Sequence, residues 1–265
     1  MKIRNTALSI SFLLVLICSA QAQWQSIGGS GSQAGVSDWV YCLLADSTTD
    51  LLYVGGKFVN AGNSTSPFIA AWNGTQWQSM GSGFNAEVRT LCLFNGELYA
   101  GGYFTTSGND SMNYVAKWNG SSWEAVGEGL NDWVLSLCVY NGELYAGGRF
   151  TMTGNNAPAR AIAKWTGSQW VEVGGGLTGT GTAMMKHVWA MQVYNNQLYI
   201  GGYFNRANNN TLVLDGNLTK WNGFFFDDIP NYFSTGSVFC FKPYDTYLLV
   251  GGGQVAYMQQ YNGVN

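Results

Sequence analysis

The chain of 265 residues has one histidine, four prolines and few charged side chains, 10% in all. With His187 alone, a histidine-rich metal centre is excluded, and any Ser-His-Asp arrangement would have to pass through that residue. No nucleophile-elbow motif accompanies it. Neither a metal nor a cofactor is expected. Twelve basic residues stand against fifteen acidic ones, which gives no electrostatic footprint for nucleic acid or anionic lipid. Beyond residue 22, no stretch approaches the roughly 20 apolar residues that a membrane span needs. The glycines at 28, 29 and 31 precede no strand-to-helix pattern, so they do not form a nucleotide loop.

The first 22 residues carry Lys2 and Arg4, then an apolar run from Ile10 to Ile17, then Ala20-Gln21-Ala22. That order of charge, apolar run and small residues is a secretory signal peptide, with cleavage expected after Ala22. A lipoprotein anchor at Cys18 is the rival reading, and the bulky Ile17 disfavours it. Residues 23–265 are then one exported domain with ten basic and fifteen acidic side chains, a formal charge of −5. Its four remaining cysteines, Cys42, Cys92, Cys138 and Cys240, precede successive Gly-Gly pairs by 13, 9, 9 and 11 residues. The expectation is one equivalent place per repeat, too far apart for the Cα separation of roughly 4.4 to 6.8 Å that a disulfide requires.

What the chain has in plenty is glycine, 36 residues, and aromatic side chains at 15%. Leu98 to Phe104 reads Leu-Tyr-Ala-Gly-Gly-Tyr-Phe, with copies at Leu52 to Phe58, Leu144 to Phe150 and Leu198 to Phe204 and a weaker one at Leu248 to Gly253. The Gly-Gly pairs begin at 55, 101, 147, 201 and 251, a period of 46, 46, 54 and 50 residues that belongs to repeat and propeller architectures. Each repeat holds four strand-like segments. In the second they are Val88 to Phe94, Glu97 to Phe104, Tyr114 to Trp118 and Trp123 to Val126, joined through Asn95-Gly96 and Asn119-Gly120. The pairs Trp72/Trp77, Trp118/Trp123, Trp165/Trp170 and Trp221/Phe226 flank the last turn of successive repeats and are expected to cover neighbouring sheets. The Gly-Gly pair is expected where a bulky ring or another backbone crowds the second strand.

The chain ends with Tyr261-Asn262-Gly263-Val264-Asn265, where other repeats continue into Trp and a fourth strand, and opens after the leader with Trp24-Gln25-Ser26-Ile27-Gly28, nearly the fourth strand Trp77 to Gly81. The expected fold is therefore all-β, a five-bladed β-propeller of four-stranded antiparallel blades. Residues 24–28 complete the last blade and close the ring. Gly-Gly, an aromatic about 17 residues on and a second aromatic five later resemble the kelch type of propeller repeat. The wording LYAGGxF and AKWNGSSW is also similar to exported propellers of Bacteroidetes-type bacteria and to kelch-like propellers of fungal cell-cortex proteins. The resemblance implies architecture, since propellers host enzymes, lectins and scaffolds alike.

Alternating strand direction sends the tight Asn-Gly turns to one face of the disc. The loops Val59 to Pro67, Thr105 to Asn113, Thr151 to Arg160 and Asn205 to Asn217 go to the other, together with the connections between blades. A site is expected on that second face. Before the innermost strands stand Trp39, Glu87, Arg89, Trp133, His187 and Trp189, and after the Gly-Gly pairs stand Lys57, Tyr103, Arg149 and Tyr203. Rings beside amides and charges suit a glycan or an extracellular or cell-surface protein. A noncatalytic binding module is the first expectation, with no nucleic-acid partner and the oligomeric state left open. The alternatives are a carbohydrate-active hydrolase or lyase using Glu87 and Asp132, and a purely structural display propeller.

Overall fold

The computed structural model describes residues 35–179, 186–214, 217–229, 236–253 and 259–261. The leader, its expected cleavage point and the expected closing strand at 24–28 lie outside the described residues. The fold is all-β. Four sheets each contain four antiparallel strands in chain order. The first holds Val40–Asp46, Leu51–Gly56, Ile69–Trp72 and Trp77–Ser79. The second holds Val88–Phe94, Glu97–Gly102, Val115–Trp118 and Trp123–Ala125. The third holds Val134–Tyr140, Glu143–Gly148, Ile162–Trp165 and Trp170–Glu172, and the fourth His187–Tyr194, Gln197–Tyr203, Leu218–Trp221 and Phe226–Asp228. In the fifth, three strands are described: Val238–Tyr244, Tyr247–Gly252 and Gln259–Tyr261. The first strands of consecutive sheets touch one another from the first sheet to the fifth. Among the described residues no helix is long and apolar enough to cross a membrane.

Turn chemistry sets the register. Asn95 and Gly96 both take positive φ, 53° and 79°, as do Asn141 and Gly142, so the first hairpins of the second and third sheets are tight two-residue turns whose twist matches the strands. The turns between third and fourth strands differ from the Asn-Gly hairpin expected there. Only the glycine is left-handed, and the Asn119 side chain accepts from the backbone N–H of Ser121 and Ser122 at 3.0 and 2.9 Å. Asn73 and Asn222 do the same in their own sheets. These are side-chain-capped turns, in which Asn is chosen for its carbonyl rather than for its φ.

Every first strand begins with a bulge. Val88 pairs with Gly102 and Thr90 with Gly101, so Arg89 has no opposite residue. The same slip leaves Tyr41, Leu135, Trp189 and Phe239 unpaired. The Gly-Gly pair is what this geometry demands. A Cβ on the second glycine would lie 2.1 Å from the Glu87 carbonyl oxygen in the second sheet and 2.0 Å from that of Trp133 in the third. On the first glycine the neighbour is a valine rather than the expected ring or backbone. A Cβ on Gly55, Gly101, Gly147 or Gly201 would meet Cγ1 of Val88, Val134, Val188 or Val238, each opening the next sheet, at 2.3 to 2.6 Å. Those four valines are fully buried. Burying each contributes on the order of 1.5 to 3 kcal/mol, and removing the methyls from this knob would leave a cavity.

The two ends of the series lack this contact. Val40, the corresponding residue of the first sheet, is 41% exposed, and a Cβ on Gly251 would meet only the Cys240 sulfur. Leu43 is 62% exposed, while its counterparts Leu137 and Met191 are buried.

Three of the expected aromatic pairs, Trp118/Trp123, Trp165/Trp170 and Trp221/Phe226, cover the boundary with the preceding sheet. Trp118 and Trp123 face each other across their turn at 5.2 Å between ring centroids, and Trp165 and Trp170 at 5.4 Å. Trp123 Nε1 donates to the Met80 carbonyl of the preceding sheet and Trp170 Nε1 to that of Val126. Both rings are buried, so these donors need partners and the neighbouring sheet supplies them.

The cysteines do not share one place. Cys42 and Cys240 lie opposite the first glycine of the pair, whereas Cys92 and Cys138 lie opposite Tyr99 and Tyr145, two residues nearer the hairpin. A shift of two keeps the side chain on the same face of the strand, which is why spacings of 13 and 11 beside 9 and 9 preserve the pattern. All four are free thiols.

Candidate functional site

The long connections after the second strands are built rather than loose. Asn60–Ala61 pairs with Ser64–Thr65, Thr106–Ser107 with Asp110–Ser111 and Arg206–Ala207 with Leu212–Val213, each a small two-stranded ribbon. Side chains fix them to the connections between sheets. Asn85 accepts from the backbone N–H of Thr105 and Thr106, and Asn131 from those of Thr151 and Met152, at 2.8 to 3.1 Å.

Two sets of expected residues come together because they are cross-strand neighbours at the bulge. The N–H groups of Lys57, Tyr103 and Arg149 donate to the carbonyls of Trp39, Glu87 and Trp133 at 2.8 to 2.9 Å, and His187 pairs with Tyr203. Their side chains form a collar. The Arg89 guanidinium lies 3.9 Å from the Tyr41 ring centre and 5.1 Å from that of Tyr103. Tyr103 stacks on Trp133 at 4.1 Å, and Arg149 covers the Trp133 ring at 3.9 Å. On the far side, Lys186 Nζ sits 4.3 Å from the Tyr203 ring, and His187 meets Trp189 edge-on at 4.7 Å. Trp189 in turn meets Phe239 edge-on at 5.6 Å, and Trp39 meets Tyr41 at 6.2 Å. Partly buried cation-ring contacts of this kind contribute about 0.5 to 2 kcal/mol each and fix long side chains in place.

Below the collar lies a cavity of about 380 Å³. Its wall is Tyr41, Arg89, Leu135, Trp189 and Phe239, the five bulged residues, one from each sheet. Arg89 and Trp189 are among the expected site residues. Tyr41, Leu135 and Phe239 are not, although a signal existed: each stands directly after the valine that opens a first strand, at Val40, Val134 and Val238. The position two residues beyond Trp39, Glu87, Trp133 and His187, taken in every repeat, contains all five. Trp39, Glu87, Trp133 and His187 stand two residues before bulged residues and Tyr103, Arg149 and Tyr203 lie across the strand from them, so this set adjoins the wall as a rim without lining the cavity itself. Lys57 occupies the equivalent rim position and is exposed.

The electrostatics of the rim are mixed. Arg149 Nε pairs with Asp132 Oδ2 at 2.8 Å, and Arg89 Nη1 reaches Glu87 Oε2 at 3.4 Å. Each carboxylate of the proposed catalytic pair therefore already serves an arginine. Burial pushes the Tyr103 hydroxyl above its ordinary range, partly offset by Arg89. Burial, reinforced by Asp132, does the same to Tyr114. Both phenols stay protonated at neutral pH and can donate to a ligand.

No protein-family model matches the chain, and no curated protein does. Solved structures do match. The extracellular domain of a putative hybrid two component system from B. thetaiotaomicron superposes over 90% of this chain with a TM-score of 0.54 at 16% identity. The computationally designed Ika8 protein superposes over 84% with a TM-score of 0.50 at 12% identity. The chain spans only 28% of the first and 57% of the second. At such identities the likeness is one of fold: antiparallel four-stranded sheets set side by side.

Proposed function

We propose that the chain is a five-bladed propeller of kelch-like type, exported through its N-terminal leader, that acts as a noncatalytic binding module for a glycan or an extracellular protein. The observation that carries this reading is the cavity walled by one bulged residue from every sheet and ringed by fixed aromatic and cationic side chains. A rim already ordered by stacking costs little further entropy on binding. Ring closure is supported by the unmet knob and hole at the ends of the series. Val40 is exposed and Gly251 faces no valine, while the same contact is made at four successive boundaries. Residues 24–28 would then supply the outer strand of the fifth sheet.

The hydrolase alternative gains no support from the rim. Glycoside hydrolysis needs one carboxylic acid able to donate a proton and a second carboxylate free to act on water or sugar. Glu87 and Asp132 instead spend oxygens on Arg89 and Arg149. The test of the binding reading is a glycan-array screen and an extracellular-protein pull-down with residues 23–265. Trp133→Ala and Arg89→Ala are each expected to weaken any hit about tenfold or more, as for ring and arginine anchors elsewhere. Binding that survives both substitutions would remove this face from the function.

A further inference from the structure

The cavity wall has a narrower chemistry than the rim above it. Tyr41, Leu135, Trp189 and Phe239 offer ring and hydrocarbon surface, and Arg89 is the single charged group. No carboxylate or side-chain amide is among the five. A sugar carries a hydroxyl on nearly every carbon, and each one buried without a partner costs about 1 to 3 kcal/mol. This wall satisfies few of them. It is suited to a large apolar or aromatic side chain, whose burial needs no partner atoms, and its volume lies at the lower end of the roughly 300 to 1,000 Å³ range of ligand sites.

Charge at the mouth adds a second requirement. Lys57, Arg89, Arg149 and Lys186 stand there against Asp38, Glu87 and Asp132, an excess of one positive charge on a chain whose formal net charge is −3. Arg149 is engaged by Asp132 at 2.8 Å. Arg89 touches Glu87 through Nη1, at 3.4 Å, and sits over the Tyr41 ring at 3.9 Å from its centre. Among the described residues neither Lys57 nor Lys186 meets a carboxylate.

We propose that the cavity receives an aromatic or large aliphatic side chain from an acidic segment of a partner protein, with carboxylates beside that side chain set against Arg89, Lys57 and Lys186. This rests on the binding-module reading and narrows its ligand from a glycan or a protein to an acidic, ring-bearing peptide. The side chain supplies affinity by leaving water, and the flanking carboxylates select it from other apolar residues and speed encounter.

The test is selection of a display library of random seven-residue peptides on residues 23–265, followed by calorimetric titration of the best synthetic peptide. Enriched sequences are expected to place Phe, Tyr, Trp or Leu beside Asp or Glu. Leu135→Trp, which fills the cavity, and Arg89→Gln, which removes its charge, are each expected to weaken the dissociation constant by about tenfold. Raising salt from about 0.05 to about 0.5 M should weaken it several-fold in the unaltered protein, a readout that does not depend on any variant folding. Enriched peptides that are neutral or basic, or affinity unchanged by Arg89→Gln, would overturn the proposal. If no peptide is enriched while a glycan-array hit is lost in Arg89→Ala, this inference falls and the binding module stands. If neither peptides nor glycans bind, both fall.

Discussion

At the scale of single residues, the chain uses its smallest and softest side chains to let sheets approach. Gly101 leaves room for Val134 on one side, and Gly102 leaves room for the Glu87 carbonyl that the bulge turns inward. Cys42, Cys92 and Cys138 fill the same seam as small apolar residues, while Cys240 is exposed. Burial pushes the Cys42 and Cys92 thiols up to about 12 and the Cys138 thiol up to about 11, opposed at Cys42 by the Gly55 backbone and by the charge of Arg89. A thiol raised this far is almost wholly protonated at pH 8, and the thiolate is the reactive form. Cys42, Cys92 and Cys138 are therefore expected to stay unlabelled by iodoacetamide in the native protein at pH 8 and to react on unfolding. Rapid labelling of any of the three without loss of structure would contradict their assignment as packing residues. The Gly-Gly repeat and the cysteine period were legible in the sequence. The split of the cysteines into two positions was also written there, as spacings of 13 and 11 against 9. Its reading required knowing that the first hairpin turn, at 47–50, is longer than the two-residue turns that follow.

At the scale of elements, the unit is a four-stranded sheet that cannot bury both faces alone. Two devices join it to its neighbour: the valine knob at the inner strand and the tryptophan pair at the outer hairpin. Trp170 is buried and donates to Val126 across the boundary, so Trp170→Ala loses both ring burial and a hydrogen bond. Its expected cost is about 3 to 5 kcal/mol, a large share of the roughly 5 to 15 kcal/mol that holds a typical domain together. Trp170→Phe keeps most of the ring, as Phe226 does naturally in the fourth sheet, and is expected to cost about 1 kcal/mol. Equal denaturation midpoints for the two variants would refute this division. Strand order within a sheet and the two-residue first hairpins were readable from Asn-Gly and the apolar segments, because both are local, whereas the turns after the third strands, expected as the same hairpin, are capped by an Asn side chain instead. The bulge was not readable, since it depends on a carbonyl from one strand meeting a glycine on another. With it went three of the five residues of the cavity wall. Arg89 and Trp189 were noticed as unusual residue types, whereas Leu135 has nothing unusual about it until its position is known.

At the scale of the whole molecule, the cavity and its rim function as a site only if the fifth sheet meets the first. Four boundaries show how that meeting is made: Val88 on Gly55, Val134 on Gly101, Val188 on Gly147 and Val238 on Gly201. A fifth, Val40 on Gly251, would complete the set in a closed ring and cover Cys240 as Val88 covers Cys42. The ends of the chain suggested this closure through the likeness of Trp24 to Gly28 with Trp77 to Gly81, and the exposed valine supports it from an independent direction. At 28.8 kDa for the full chain, the protein is within reach of methyl-labelled nuclear magnetic resonance. The decisive measurement is the nuclear Overhauser contact between the Val40 methyls and the Gly251 α-protons in residues 23–265, with the four established valine-glycine pairs as internal standards. A closed ring gives a Val40–Gly251 cross-peak of the same strength as the other four; four cross-peaks with the fifth missing would mean an open array, and the shared central site would go with it.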